Sequence, residues 1–374
     1  MLRNRTGNPS SFQKPTQPVS TSTSQSVLKL VSQSRNSGRL NLSNQNLDII
    51  PEALFTRPTA KADGNWWEEV ELTRLVIADN EIGQLDARIG ELGALTLIDA
   101  HNNKLTALPD LSNLLNLTVL HLASNNLTDI PLSLFSLPLA EVHLSGNKLS
   151  TFSIPSSSPT AQSLTILDIS SNSLAEFPFQ SLMPRLTKLV LKSNTLAGPL
   201  ALPVSARPFF PILNHLDISH NRLSSLTTLP FHAPNLILLN ASQNLLAQLF
   251  SPSSSQETRI NLPGLLQLDV RVNRLATLTT PSCVINVPLL KELLLQSNKL
   301  TTVSGSGVLE SALNSIETLD VRDNNLEAIP QEVVDMTGLK RLFVEGNAIR
   351  NPRRAILEKG TAAIVQWMKE RVVA

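Results

Sequence analysis

Residues 117–127 read Leu117-Thr118-Val119-Leu120-His121-Leu122-Ala123-Ser124-Asn125-Asn126-Leu127. The pattern is L-x-x-L-x-L-x-x-N-x-L, and it returns along almost the whole chain. Its Asn falls at positions 80, 103, 125, 147, 172, 194, 221, 244, 273, 298, 324 and 347, in steps of 22 to 29 residues. Self-similarity at this period marks a solenoid, in which each unit buries its apolar face mainly against its neighbours.

The motif dictates the unit. The stretch x-L-x-L-x is a short strand whose alternation sends the two leucines inward and the x residues outward. Strands of successive units stack in parallel at about 4.8 Å. The chain must then turn while its backbone polar groups are buried, and an inward Asn amide satisfies them. The twelve asparagines are therefore structural. The expected fold is an α/β leucine-rich repeat horseshoe with a parallel concave sheet, about 13 repeats counted from these motif positions, and helical caps at both ends. In the first repeat Gln45 replaces the Asn, as befits a terminal unit.

Residues 1–25 stand apart. They are rich in Ser, Thr, Pro and Gln and have little to bury, so a disordered tail is expected. The tail is also basic, with no acidic residue before Asp48, and a mitochondrial presequence is the minor reading. The repeat domain spans 26–374. Within it, 26–38 reads as an N-terminal cap helix stopped at Gly38, 52–71 as an insertion, and 350–374 as a C-terminal cap helix. Gly360-Thr361 marks a break in that cap, and Trp367 is its expected buried plug. Apolar-Pro pairs such as Ile50-Pro51, Ile130-Pro131 and Ile329-Pro330 suit an extended, non-helical convex side. The longest steps, around Pro203 to Pro211 and Ser251 to Ser255, read as surface bulges there.

Bulk properties exclude several classes. Thirty-one basic against 30 acidic residues leave a net charge of +1, which argues against bare DNA as partner. The one cysteine, Cys283, lies between repeats and cannot build disulfide caps, so a reducing compartment is expected. There is neither an apolar run long enough for a spanning helix nor an N-terminal h-region. Cytoplasm is the expected compartment, with the nucleus open.

Three stretches carry a more specific likeness. Ser37-Gly38-Arg39-Leu40-Asn41-Leu42-Ser43, Trp66-Trp67-Glu68 leading into Leu72-Thr73-Arg74-Leu75, and Glu345-Gly346-Asn347 followed by Arg353-Arg354, Ile356 and Lys359-Gly360-Thr361 resemble the leucine-rich repeat-containing protein 40 family. The resemblance covers about residues 27–374, and longer members of that family carry more repeats. It implies an intracellular repeat protein and no enzymatic activity.

Candidate sites follow from the register. The middle outward column runs Asn41, Val76, Asp99, His121, His143, Asp168, Val190, Asp217, Asn240, Asp269, Leu294, Asp320, Phe343. Flanking columns add His101, Glu141, Lys188, Lys192, Arg271 and Arg322. Asp99, His101, His121, Glu141, His143, Asp168, Lys188, Lys192, Asp217, Asp269, Arg271, Asp320 and Arg322 are thus the expected partner-binding residues, on a face of mixed charge that suits a protein or peptide. Trp66 and Trp67 are a second candidate as an aromatic anchor, against the alternative that one ring packs on the first repeats. Carboxylates beside the histidines are expected to raise their pKa and make the strip pH-responsive.

No catalytic residue, cofactor or metal is expected. No hydrolase elbow, phosphate loop or H-E-x-x-H occurs. Asp99, His121, His143 and Asp168 in a row span about 14 Å, too far for one zinc ion, although His121 and His143 with one carboxylate would fit. The reading is a non-catalytic, monomeric intracellular scaffold or adaptor, with signalling as one setting. Two alternatives remain: a metal-binding or enzymatic protein built on that four-residue strip, and a membrane-surface or nucleic-acid binder using the basic ends, chiefly Arg350, Arg353, Arg354, Lys359, Lys369 and Arg371.

Overall fold

The computed structural model describes residues 24–56, 70–177, 182–200, 208–226, 229–250, 258–278 and 283–372. Among these, thirteen strands of three residues, from Arg39–Asn41 to Arg341–Phe343, form one parallel sheet in chain order. The register never slips. Leu40 pairs with Leu75, Leu75 with Ile98, Ile98 with Leu120, and so on to Leu319 with Leu342. The chain is a leucine-rich repeat solenoid. Its motif leucines form the core: Leu117, Leu120, Leu122 and Leu127 have no exposed surface.

Each motif Asn bridges two coils. Asn125 Oδ1 accepts from the Leu105 N–H of the preceding repeat at 3.0 Å. Its Nδ2 donates to the Ala100 carbonyl of that repeat (3.0 Å) and to the Leu122 carbonyl of its own (3.1 Å). Asn147 repeats the arrangement against Leu127, Leu122 and Leu144. Gln45 makes no such bridge; its backbone N–H and that of Leu47 instead donate to Asn80.

A second regularity lies in the backbone of the turn. The residue just before every motif Asn is left-handed, with φ between +53° and +71° from Asp79 to Gly346. Most are Asn, Asp, Ser or Gly, which tolerate that region. Val272, at φ +55°, is the β-branched exception.

Three details correct the expected return limb. Short 3₁₀ turns, Glu52–Leu54, Leu132–Ser136 and Gln331–Val334, follow Pro51, Pro131 and Pro330. The prolines themselves are extended, but without an N–H to place they open a turn as readily as they prolong a strand. The long repeats form small parallel pairings, Ala197–Pro199 with Arg222–Ser225 and Thr258–Asn261 with Cys283–Asn286. Cys283 therefore starts a strand rather than a turn; it is buried, and burial pushes its thiol pKa up.

Helices close both ends. Gln25–Ser37 buries Val27 and Val31, is N-capped by Ser24 and ends at left-handed Gly38. A Cβ at Gly38 would lie 2.8 Å from the Glu71 carbonyl, so the close approach needs glycine as well. At the other end, Arg354–Leu357 and Thr361–Val372 cover the last coil, and the Thr361 hydroxyl accepts from the Leu342 N–H at 2.8 Å. The plug there is Ile364 and Met368, both buried. Trp367 is half-buried at the rim beneath the Arg371 guanidinium, 4.4 Å from its ring centre. Helical spacing turns Ile364 and Met368, four apart, onto the covered face, and Trp367 falls beside it.

Candidate recognition face

Strand pairing places the thirteen middle residues in one continuous column, with Asp99 opposite His121, His121 opposite His143 and His143 opposite Asp168. The flanking column before it holds Glu141, Lys188 and His215; the one after it holds His101, Lys192, Arg271 and Arg322. Beside the cluster a depression of about 400 Å³ is lined by Asp168, Lys188, Val190, His215, Asp217 and Asp269, among others.

Much of the column's polarity has a local task. The side-chain oxygens of Asn41, Asp99, Asp168, Asp217, Asn240, Asp269 and Asp320 accept from the backbone N–H two residues on, at 2.9–3.2 Å. These are Asx turns that lead the strand into the buried corner. The assignment of Asp269 and Asp320 as partner contacts needs correction. Both are buried, and each grips its own arginine: Arg271 Nε and Nη2 reach Asp269 at 3.0 and 2.6 Å, and Arg322 reaches Asp320 at 2.9 and 2.6 Å. What these rungs present is the outer edge of two fixed guanidinium groups, Arg322 also lying over the Phe343 ring at 4.8 Å. An Asx followed two residues later by Ser, Arg or His was visible in the sequence as the signal for this turn.

His121 and His143 are the polar residues of the column that cap no turn. Their rings meet edge to face, 4.5 Å between centroids. The Nε2 of His121 is buried and has no hydrogen-bond partner. Its Nδ1 faces Asp99 Oδ2 at 3.8 Å. Asp99 also holds the His101 ring at 2.7 Å, and the far nitrogen of that ring lies 3.7 Å from Asp79. Ligand-type atoms of His121, Glu141 and His143 all lie within 4.8 Å of one another. The structure thus brings together Asp99, His101, His121, Glu141 and His143. Asp168 borders them, Lys188 and Asp217 belong to the neighbouring depression, and Lys192 is exposed nearby. Trp66 and Trp67 lie outside the described residues.

The electrostatics correct the expected sign for His143. Burial and the neighbouring His121 hold its pKa below the ordinary value, and Asp168 and Glu141 do not reverse this. The pKa of Asp99 is lowered as well, but for a carboxyl group this favours the charged form. Burial works to raise its pKa, but the nearby His121 ring and the hydrogen bonds from the His101 ring and the His101 N–H outweigh it and hold it at about 2. Because the folded value is depressed, the stabilisation from ionised Asp99 is complete above the ordinary value of 3.8 and is lost as pH falls through about 2. Urea denaturation of an Asp99→Asn variant should therefore show a shallower loss of stability over that window than the parent. Equal slopes would mean that the carboxylate titrates alike in both states.

The basic C-terminal end is partly engaged. Arg354 pairs with Glu358 at 2.8 Å and Arg371 covers Trp367. Among the described residues no helix is long and apolar enough to cross a membrane.

Comparison with known proteins agrees with the architecture. Protein-family models for the leucine-rich repeat match residues 288–349 and 116–137. An internalin from Listeria monocytogenes superposes with a TM-score of 0.65 at 21% identity, covering 88% of this chain and 85% of that one. A leucine-rich repeat protein from Leptospira interrogans gives 0.56 at 22%, covering 89% and 95%. A plant peptide hormone receptor in complex with RGF2 gives 0.50 at 21%, covering 83% and 55%.

Proposed function

We propose that this leucine-rich repeat chain is a non-catalytic scaffold that holds a protein or peptide partner along its concave face. The observation that carries the reading is the unbroken register of outward residues, which presents acidic, basic, imidazole and apolar groups on a rigid surface. Such a surface binds with little ordering cost. The depression flanked by Asp168, Lys188 and Asp217 gives a partner somewhere to seat an anchor. The plant peptide hormone receptor of similar fold is in complex with RGF2, and it supports this reading by analogy of fold only. An intracellular setting, a monomer and kinship with the leucine-rich repeat-containing protein 40 family belong to the same proposal. The lone buried Cys283 supports the first, and the stretches at 37–43 and 345–361 support the last.

The test is affinity purification with mass spectrometry from native cells, comparing the intact chain with Lys188→Glu/Val190→Asp/Lys192→Glu. These are the outward residues of one central rung, and none caps a turn, so circular dichroism should be unchanged. Loss of a specific partner from the variant supports the face as the recognition surface. An identical set of partners sinks it and moves attention to the insertion that carries Trp66 and Trp67.

A further inference from the structure

From the geometry we propose that His121, Glu141 and His143 form a binding site for one divalent transition-metal ion of the zinc type. This goes beyond the recognition reading and does not depend on it, and it departs from the sequence-based expectation of no metal. It also replaces the four-residue strip with a compact set, because the third ligand comes from the flanking column and not from either aspartate.

Three independent features support it. The donor set is chemically apt: two imidazoles and one carboxylate are a common zinc triad that leaves a fourth position for water or another donor. The spacing is close. Donor atoms within 4.8 Å of one another need shifts of only about 1 Å to reach an ion at roughly 2.0–2.2 Å from each. The parallel register fixes the backbone from which these three side chains project, since Val119 and His121 stand opposite Glu141 and His143 on adjacent strands. Finally, His121 Nε2 is a buried lone atom with no partner, which costs free energy unless something binds it. Behind it, Asp99 at 3.8 Å from Nδ1 favours the proton on that nitrogen and the lone pair on Nε2. At 3.8 Å the contact is longer than a hydrogen bond, and on metal binding it would close to the carboxylate–imidazole pairing that orients metal-bound histidines.

The full chain, freed of metal with a chelator, should be titrated with Zn²⁺ by calorimetry and with Co²⁺ followed by visible absorption. One ion per chain and a tetrahedral-type Co²⁺ spectrum are expected. His121→Ala/His143→Ala should remove both signals, and Glu141→Gln should weaken binding by at least about 100-fold. Asp99→Asn, which alters orientation and leaves the ligands in place, should weaken it about 10–100-fold. Circular dichroism of each variant guards against misfolding. Absence of stoichiometric binding by the parent overturns the proposal, and so does binding undiminished in the double-histidine variant.

Discussion

Phe135→Ala should destabilise the chain by about 3–5 kcal/mol, the usual cost of emptying a large aromatic site in a close-packed core. Phe135 is 2% exposed. Its ring meets Phe152 edge to face at 5.7 Å, and Phe152 in turn stacks on Phe177 at 6.2 Å. The three rings come from successive repeats and run as a spine through the return limb. The backbone around Phe135 is pinned as well, because the buried Thr160 hydroxyl contacts the carbonyls of Phe135 and Leu137 at 3.1 and 2.7 Å. Relaxation into the space is therefore limited, which places the cost toward the upper end. Denaturant unfolding followed by circular dichroism reads it. A loss under about 1 kcal/mol would mean that the spine does not form in solution.

The second large effect concerns the Asn ladder. Asn221→Ala removes an acceptor for the Leu196 N–H at 3.1 Å and donors to the carbonyls of Leu191 and Ile218 at 3.0 and 3.1 Å. The Leu196 N–H then lies buried without its acceptor, while the carbonyls of Leu191 and Ile218 each keep one donor, the Nδ2 of Asn194 and of Asn244 at 3.0 Å, so the cost is about 1–3 kcal/mol. Asn347 makes the same three kinds of bond but is half-buried beside the C-terminal cap, where water reaches the groups. Its alanine variant should cost clearly less. Equal losses at the two sites would show that burial is not what gives the ladder its weight.

The fold could be read from the sequence because the repeat encodes it twice, once in leucine spacing and once in the Asn. Thirteen aligned coils follow from those positions alone, and the parallel register then assigns His121, His143 and their neighbours to one column. The rest was less accessible for definite reasons. Asp269 and Asp320 look like exposed acids in the motif, yet each bends back onto its own arginine, a choice made by side-chain rotamers rather than by spacing. Glu141 sits in a different column from the histidines it accompanies, so a search along one column separates it from them. The extra pairings at Ala197–Pro199 and Cys283–Asn286 arise in stretches that follow no motif. The left-handed residue before each Asn is encoded by Ser, Asp or Gly at most sites, and Val272 conceals it at one.

The unbroken register has a further consequence for whatever lies in the trough. Successive rungs advance by about 4.8 Å, while an extended peptide advances by about 3.4 Å per residue. The two rulers are incommensurate over one step but return to phase after two rungs and three residues, both close to 10 Å. Because the side chains of an extended peptide alternate faces, a peptide laid along the solenoid axis would turn an in-phase side chain into the trough at about every sixth residue, over every fourth coil. Its recognition grammar would be a period of about six residues written on every fourth repeat.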